Sequence, residues 1–323
     1  MLRCVVAGFG AYLPERVMTN HEFASILDTS DEWIVARTGI RERHIAAPGQ
    51  RTSDLAVPAA RKAMEMAGVG PDQIDLVIVS TSTPDETLPA TAARVQTKLG
   101  ITQGAAFDLA AACSGFVYGL TLADSLIRTG HTRHALVIGA EIFSRIVDWK
   151  DRSTCILFGD GAGAFVLSAG EGSGSLDDKG VLWCDIQADG RLGDLLMTTG
   201  GVSSTQTSGV LLMQGREVFR HAVVKMGDSL QNGLTALGLD SSAIDWLIPH
   251  QANTRILMAM AERFGLNEQK VIVTLEKHAN TSAASIPLAF HEGVASGRVK
   301  KGQLLAMPAL GSGLTWGTCI MRW

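Results

Sequence analysis

One cysteine, one histidine and one asparagine of this chain could carry out chemistry on an acyl group if the fold brought them together. Cys113 lies in AFDLAAACSGFVYGL, between a run of alanines and a Ser-Gly step, at the start of an apolar helical pattern. His250 lies in PHQAN, and Asn280 follows His278 in KHANTS. Free cysteines are among the most buried residue types, so Cys113 taken alone is also typical of a packed core.

A cysteine in the first turn of a helix is a candidate nucleophile for a physical reason. Unpaired backbone N–H groups and the positive end of the helix dipole favour the thiolate over the thiol. A neighbouring imidazole adds to this effect and can exchange a proton. An asparagine amide is no base at neutral pH, but it can donate a hydrogen bond to a developing oxyanion. Cys-His-Asn sets also occur in cysteine hydrolases, so the residue types leave acyl transfer and hydrolysis both open.

Strands alternate with amphipathic helices along the chain, which predicts an α/β architecture. In the first half we expect strands at 74–83, 104–110 and 134–141, and helices at 91–100 and from Phe116 to a cap at Gly130. In the second half we expect strands at 244–253, 270–280 and 303–313, and helices at 254–265 and 281–297. The N-terminal segment is predicted to be a buried first strand rather than a signal peptide.

The second half repeats the order of elements in the first, which indicates an internal duplication of one αβ unit. Three pairs of matching residues are separated by nearly equal lengths of chain: Asp75 and Asp245, Gly100 and Gly265, and Gly130 and Gly297. We therefore divide the chain into halves at 1–170 and 181–323, joined by a polar, glycine-rich linker at 171–180. Ligands of open α/β sheets bind outside the carboxyl ends of strands. The two halves could therefore hold the cysteine, the histidine and the asparagine in one crevice.

Three glycine-rich segments have different interpretations. ALGSGLTWG (309–317) follows a strand, and its backbone N–H groups could supply an oxyanion donor near Cys113. FGDGAGAFVL (158–167) lacks a lysine in the P-loop position, so we interpret it as a tight turn or a place of close packing. GFGAYL (8–13) has an incomplete set of Rossmann glycines, which argues against a nicotinamide site.

Composition excludes several classes of function. The 323 residues are 46% hydrophobic and 19% charged with a net charge of −4, which gives no general attraction for nucleic acid or an anionic membrane. The five cysteines are far apart, so neither a disulfide framework nor a metal site is expected, and a reducing cytoplasm fits best. No uninterrupted run of 18 apolar residues occurs, so we expect no membrane span.

Five motifs in fixed order carry a resemblance to a known family. AAACSGF, FGDGAGA, PHQAN, NTSAAS and GLTWG occur in this order along the chain. The set resembles β-ketoacyl-[acyl-carrier-protein] synthase III, a family of condensing enzymes in the thiolase-like superfamily, from about residue 3 to Trp323. The resemblance implies a five-layered αβαβα fold of two similar halves, which agrees with the duplication. It also implies a homodimer.

The resemblance implies a role for each member of the set. Cys113 would take an acyl group from acyl-CoA, and His250 and Asn280 would hold the malonyl thioester carbonyl while it loses CO₂. The backbone N–H groups of Cys113 and Ser312 would form the oxyanion hole for the acyl thioester. His278 is expected to be structural. CoA thioesters are then substrates, and no cofactor is needed.

The resemblance also implies where the substrates and the carrier protein bind. The expected CoA-binding residues are Trp33, Arg37, Thr38, Arg152, Gly215, Phe219 and Asn253. Leu88 and Leu310 replace phenylalanines common in the acyl pocket of acetyl-preferring members, with Leu88 contributed across a dimer interface, so a primer longer than acetyl could fit. Arg220 and Arg255 match positions that would dock the acidic acyl carrier protein. Glu262 stands where the family carries a lysine, with Arg263 next to it, which would weaken or shift this basic patch.

Three functions remain as hypotheses. The first is the decarboxylative condensation of an acyl-CoA with malonyl-acyl-carrier protein that initiates fatty acid synthesis, or a related condensation in secondary metabolism. The second is a Cys-His-Asn thioesterase, although nothing in the chain resembles the sequence around a papain-type cysteine. The third is a non-catalytic partner subunit, which is disfavoured because Cys113, His250 and Asn280 are all present.

Overall fold

The strands of the chain form two larger sheets and two small ones in a computed structural model that describes residues 1–323. The strands are β1 Leu2–Tyr12, β2 Arg16–Thr19, β3 Glu42–Ile45, β4 Leu76–Ser80, β5 Ala105–Leu109, β6 His134–Ile142, β7 Asp160–Glu171, β8 Gly180–Ala188, β9 Leu196–Thr198, β10 Leu211–Met213, β11 Trp246–Leu247, β12 Leu304–Gly311 and β13 Thr315–Arg322. The α-helices are α1 Asn20–Ala24, α2 Asp31–Thr38, α3 Thr52–Ala67, α4 Thr91–Leu99, α5 Gly115–Arg128, α6 Gly215–Leu237, α7 Thr254–Arg263, α8 Leu275–His278 and α9 Ser285–Ala295.

The two larger sheets have the same topology, and this confirms the duplication. The first sheet has the order β1-β7-β6-β4-β5, and the second has the order β8-β13-β12-β11 when counted from the corresponding edge. In both sheets the third strand in this order pairs antiparallel with the second strand and parallel with the fourth. These strands are β6 with β7 and β4 in the first sheet, and β12 with β13 and β11 in the second. A parallel bridge from Leu247 to Val271 marks the place that β5 occupies in the first sheet.

The helices and sheets stack in five layers, as the resemblance implied. Helices α3 and α4 cover the outer face of the first sheet, and α6 and α7 cover the outer face of the second. Helices α5 and α9 lie between the two sheets, where Phe116 and Phe290 pack with Phe165 of β7. Both sheets are thus buried on both faces, which explains the continuous apolar runs in the sequence.

Most of the predicted elements are confirmed, and the strand predicted at 270–280 is wrong. After the single bridge at Val271 the chain turns into α8. The reason is the side chain of Gln251, which takes the place of a neighbouring strand. Its amide nitrogen donates to the carbonyl of Ile272 at 3.0 Å, and its amide oxygen accepts the N–H of Thr274 at 2.9 Å. The strand predicted at 244–253 is likewise reduced to the two residues of β11.

The segment 158–167 is not a turn, although the alternative of close packing is correct. Most of it belongs to β7, and a Cβ added at Gly163 would lie 2.7 Å from the Cβ of Pro287 in α9. Helix α9 starts at Ser285, later than the predicted helix at 281, because residues 282–284 form a 3₁₀ turn first. The predicted linker falls between β7, which ends at Glu171, and β8, which begins at Gly180.

Three further features bear on the classes of function. All five cysteines are free, and no group of three or more His, Cys, Asp or Glu side chains is placed to hold a metal ion. None of the helices combines the length and the apolar character needed to cross a bilayer.

The two halves meet where β6 touches the turn at 282–284. Alternate residues of β6 face the central layer, among them Val137, Gly139 and Glu141. A Cβ added at Gly139 would lie 2.2 Å from the carbonyl oxygen of Ala283, so this contact requires glycine. Glu141 is fully buried, and its Oε1 accepts the hydroxyl of Ser282 at 2.9 Å.

The other oxygen of Glu141 binds the loop that follows β4. Its Oε2 accepts the hydroxyls of Thr81 and Thr83 and the N–H of Ser82, at 3.2, 2.9 and 3.0 Å. Burial raises the pKa of Glu141 to about 7, although these hydrogen bonds act in the opposite direction. One carboxyl group therefore joins the β4 loop, β6 and the second half of the chain.

We predict that Gly139→Ala lowers the free energy of unfolding by about 1–3 kcal/mol or more. The added methyl group would collide with the carbonyl oxygen of Ala283, and neither backbone can move away easily because Gly139 lies in a strand and Ala283 in a 3₁₀ turn. Urea unfolding followed by circular dichroism measures the change. Gly190→Ala is the matched control, since a Cβ there meets nothing within 4 Å. Equal stability of the two variants would contradict the close approach of the halves.

The Glu141 carboxyl also predicts a pH dependence of stability. Because its pKa is raised from its usual 4.5 to about 7 in the folded state, the native protein holds a proton there that the unfolded chain has lost. The stability that this carboxyl contributes is present below about pH 4.5 and is lost as the pH rises to about 7.

Glu141→Gln removes this titration. We expect its stability relative to the unmodified chain to rise by more than about 1 kcal/mol between pH 5 and pH 8, measured by urea unfolding at both values. Glu65→Gln is the control, because Glu65 is exposed on α3 and its carboxylate makes no hydrogen bond or ion pair within the chain. Parallel pH profiles for the Glu141 variant and the unmodified chain would show that the carboxyl does not titrate in this range.

Candidate active site

A cavity of about 620 Å³ extends from the surface between α2, α6 and α7 to the buried contact between the halves. Cys113, His250 and Asn280 all line it, although they are only 5%, 3% and 5% exposed. Trp33 and Arg37 of α2 line its outer part and are partly exposed. The cavity therefore joins a solvent-facing entrance to a deeply buried inner end.

Most of the predicted site residues line this cavity. Those that do are Cys113, His250, Asn280, Trp33, Arg37, Thr38, Arg152, Gly215, Phe219, Asn253, Leu310 and Arg255. Those that do not are Ser312, Leu88 and Arg220. Leu88 is 83% exposed, so its own chain does not place it in an acyl pocket, and Arg220 is exposed on α6.

Cys113 lies in a 3₁₀ turn, Ala112–Ser114, that connects β5 to the start of α5. Ala112 before it has a φ of +46°, an uncommon value for a residue with a side chain. Burial raises the pKa of the Cys113 thiol to about 12, and the charge of Glu141 acts in the same direction. Hydrogen bonds from the Ser282 hydroxyl and from the backbone N–H of Cys113 lower this pKa, but by less than burial raises it. The protonated thiol is therefore the favoured form of Cys113 at neutral pH.

Two backbone N–H groups near the sulfur are free to bind an oxyanion. Apart from the Cys113 sulfur itself, the Cys113 N–H has no acceptor within the chain, and neither has the Ser312 N–H. Gly311 allows the loop that carries Ser312 to approach, since a Cβ there would lie 2.6 Å from the Cys113 nitrogen. The Ser312 hydroxyl donates to the carbonyl of Leu196, which fixes the loop on its other side.

His250 follows β11 and is held beside β12. Its backbone N–H donates to the carbonyl of Pro308 at 2.9 Å, and its Nδ1 lies 2.7 Å from the hydroxyl oxygen of Ser285. Burial lowers the pKa of His250 to about 3, so the imidazole is neutral at physiological pH. Its Nε2 has no partner within the chain and is not sealed off from the cavity.

Asn280 is fixed from both sides by hydrogen bonds. Its N–H donates to the carbonyl of Leu157 and its carbonyl accepts the N–H of Gly159, at 2.9 and 3.0 Å. The side-chain oxygen Oδ1 accepts the N–H of Ser282 at 2.8 Å. The Nδ2 amide group is therefore the end left for the cavity, where it can act only as a donor.

His278 lies close to Asn280 in sequence but outside this cavity. It is buried and lines a smaller cavity of about 230 Å³ between residues 272–278 and the C-terminal end of α9. Its ring packs edge to face on His44, with 6.4 Å between centroids, and burial lowers its pKa to about 4. Its structural role stays a prediction.

The entrance is built around Trp33. The guanidinium carbons of Arg37 and Arg152 lie 4.1 and 4.7 Å from the Trp33 ring centroid. Arg152 also donates to the carbonyl of Asp28. An indole flanked by two cations can stack on a flat aromatic group while the cations bind phosphates.

Two other predicted residues already use their polar groups within the chain. The Thr38 hydroxyl donates to the carbonyl of Ile34 and accepts the N–H of Ile40, at 2.7 and 3.0 Å. The Asn253 oxygen caps α7 by accepting the N–H of Arg255, and its amide nitrogen donates to the carbonyl of Arg37. Both side chains therefore shape the wall of the cavity, and Asn253 keeps one N–H to offer.

Sequence reasoning missed several residues of the wall. Ala222 and Met226 continue the face of α6 that carries Gly215 and Phe219, so the helical period was the signal that could have found them. Arg216 also lines the cavity, and nothing in its local sequence distinguishes it from a solvated arginine.

Comparisons with known proteins agree with this geometry. The family described as 3-oxoacyl-[acyl-carrier-protein (ACP)] synthase III matches residues 107–190, and its C-terminal part matches residues 234–323. β-Ketoacyl-[acyl-carrier-protein] synthase III of Rhodospirillum centenum is 55% identical to this chain, with 100% of this chain and 99% of that protein covered. The enzyme of the same name from Sinorhizobium medicae is 55% identical, with both chains covered completely.

A solved structure shows the same fold. The crystal structure of 3-oxoacyl-[acyl-carrier-protein] synthase III from Aquifex aeolicus superposes with a TM-score of 0.93 at 44% identity, and 99% of this chain and 100% of that chain are covered. The chain therefore belongs to the 3-oxoacyl-[acyl-carrier-protein] synthase III family, and it is a thiolase-like acyltransferase that carries out the condensation initiating fatty acid synthesis.

Proposed function

We propose that the chain condenses an acyl-CoA primer, acetyl or somewhat longer, with malonyl-acyl-carrier protein. The products are 3-ketoacyl-acyl-carrier protein, CO₂ and CoA. The observation that carries this proposal is one cavity with a cationic, aromatic entrance and a buried inner end lined by Cys113, His250 and Asn280.

In the first step the Cys113 sulfur attacks the thioester carbonyl of the acyl-CoA. The carbonyl oxygen becomes an oxyanion, which the free N–H groups of Cys113 and Ser312 bind. The C–S bond to CoA then breaks, and the proton lost by Cys113 leaves with the CoA thiol. The acyl group stays on Cys113 as a thioester, which divides the reaction into two half-reactions with ping-pong kinetics.

In the second step the malonyl thioester carbonyl accepts hydrogen bonds from His250 and Asn280. Breakage of the bond to the carboxylate releases CO₂ and leaves its electron pair on the enolate, whose oxygen these donors stabilise. The enolate carbon attacks the acyl-Cys113 carbonyl, and the Cys113 thiolate departs and takes up a proton. Because no carbon-bound proton is removed, neutral donors are sufficient and no cofactor is required.

The entrance suits the nucleotide end of CoA. Its adenine would stack on Trp33 and Arg152, while Arg37 meets the phosphates. Thr38, Gly215, Phe219 and Asn253 would line the tunnel for the pantetheine arm. The guanidinium of Arg152 lies too close to Trp33 to leave room for a base between them, so it has to move when CoA binds.

The acyl carrier protein would dock at the same mouth. Arg255 and Arg216 both line the outer cavity, so the entrance is locally basic although the chain as a whole carries a charge of −4. Arg220 is exposed one turn away on α6, and Glu217 pairs with it at 2.5 Å. Arg255 is therefore the better placed of the two predicted docking residues.

A second copy of the chain would complete the acyl pocket. Leu310 lines the cavity, whereas Leu88 is exposed in the loop that follows β4. Strand β5 is the open edge of the first sheet, and most of its side chains are half-buried. Apolar edge strands pair with other strands. A homodimer formed at this edge would bring Leu88 toward the other copy's cavity.

We also propose that the enzyme works in the cytoplasm.

The covalent intermediate gives the decisive test. Intact-protein mass spectrometry after mixing with a panel of acyl-CoAs should show an acyl adduct, which malonyl-carrier protein then discharges as a ketoacyl product. Cys113→Ala should lose the adduct completely. Cys155→Ala is the matched control, since Cys155 is equally buried but does not line the cavity. Release of free acid and CoA without an adduct would favour a thioesterase instead.

The CoA entrance has its own test. Arg152→Ala should raise the KM for acyl-CoA roughly 3- to 30-fold and leave kcat within about 2-fold, because it removes a stacking cation far from the reacting atoms. Arg298→Ala is the control, since its guanidinium also lies 4.7 Å from a tryptophan ring, that of Trp246, but outside this cavity. Equal KM values for Arg152→Ala and Arg298→Ala would contradict the binding of CoA at the Trp33 entrance.

A further inference from the structure

The neutral imidazole of His250 has two forms that would do opposite things to a substrate. With the proton on Nε2 it donates a hydrogen bond into the cavity, and with the proton on Nδ1 it can only accept one there. We propose that Ser285 is a positioning residue that holds His250 in the Nε2–H form. This inference rests on the proposed function, because that function requires a donor at His250.

The hydrogen-bond partners of the Ser285 hydroxyl decide between the two forms. Its oxygen lies 2.7 Å from Nδ1 of His250 and accepts the backbone N–H of Gln251 at 3.3 Å. Both side chains are buried, and the hydroxyl has no other acceptor within reach. If Nδ1 carried the proton, the hydroxyl hydrogen would remain buried without an acceptor, which is unfavourable because the group would lose its hydrogen bond to water and gain none in return. The hydroxyl therefore donates to Nδ1, and the ring proton lies on Nε2.

Asn280 is oriented by a second serine, Ser282, in the same short segment of chain as Ser285. The Ser282 N–H holds the amide oxygen of Asn280, and one turn later the Ser285 hydroxyl holds Nδ1 of His250. Each serine therefore binds the hydrogen-bond acceptor of its partner, which is Oδ1 in Asn280 and Nδ1 in His250. The Nε2–H of His250 and the Nδ2 amide group of Asn280 are left, and neither is sealed off from the cavity. Both side chains thus offer the substrate donors.

The assignment restricts the chemistry of His250. An Nε2–H group has no lone pair toward the cavity, so it cannot take the proton of the Cys113 thiol as the histidine of a cysteine hydrolase does. Burial, which lowers the pKa of His250 to about 3, also keeps the ring from becoming a cation. Ser285 therefore favours stabilisation of an enolate over activation of the nucleophile.

The tautomer can be measured directly. The full-length protein, labelled with ¹⁵N in its histidines, is examined by long-range ¹H–¹⁵N correlation at neutral pH, and His250→Gln assigns the resonances. We expect Nε2 to carry the proton and Nδ1 to be an unprotonated acceptor. A proton on Nδ1, or on both nitrogens, would overturn the proposal whatever the activity of the enzyme.

Variants test the consequence for catalysis. Ser285→Ala should lower the rate of malonyl decarboxylation about 10-fold or more, up to the roughly 10²–10³-fold loss seen when an oxyanion donor is removed. Acylation of Cys113 by acyl-CoA should stay within about 2-fold, because it uses backbone donors. Ser285→Thr keeps the hydroxyl and should restore most of the rate. Ser296→Ala, just beyond the other end of α9, is the control and should change neither step.

The outcomes separate this proposal from the proposed function. An equal fall in both half-reactions of Ser285→Ala would show a general structural role and overturn the positioning role, as would an unchanged decarboxylation rate. If Ser285→Ala does not fold, the spectrum of the unmodified protein still decides. Absence of acylation in the unmodified protein would refute the proposed function, yet the spectrum would still report the state of His250.

Discussion

The contact between β6 and the turn at 282–284 is the constraint on which the rest of the site depends. Gly139 lets the two backbones touch, and Glu141 holds the Ser282 hydroxyl from the first half of the chain. Because Ser282 in turn orients Asn280, a carboxyl group in one half sets the direction of an amide in the other. Loss of this contact would separate Cys113 from its partners without removing any of them.

Burial has opposite effects on the members of the site. It raises the pKa of Cys113, which makes the thiolate harder to form, and it lowers the pKa of His250, which keeps the imidazole neutral. Burial also strengthens hydrogen bonds to a developing negative charge, because the effective dielectric constant is lower in the protein interior than in water. The inner end of the cavity is therefore better suited to stabilising oxyanions than to holding a stable ion pair.

The duplicated fold explains how the three groups come together. Cys113 follows the edge strand β5 of the first sheet, and His250 follows β11 of the second. The polypeptide reaches Asn280 through residues 271–274, which take the position of a strand without forming one. Gln251 replaces the missing strand partner there, so the side chain next to His250 also shapes the approach to Asn280.

The sequence by itself determined the fold class and the duplication, and it predicted which residues react. Apolar periodicity and helix-capping glycines depend on neighbours in the chain, and five motifs in order are specific to the family. Only the tertiary structure decided that 270–280 is not a strand, that Glu141 joins the halves and that Leu88 is exposed outside the cavity of its own chain. It also decided which atoms of His250 and Asn280 are bound within the chain and which are left for the cavity. These features depend on hydrogen bonds between segments far apart in sequence, and no local pattern records such partners.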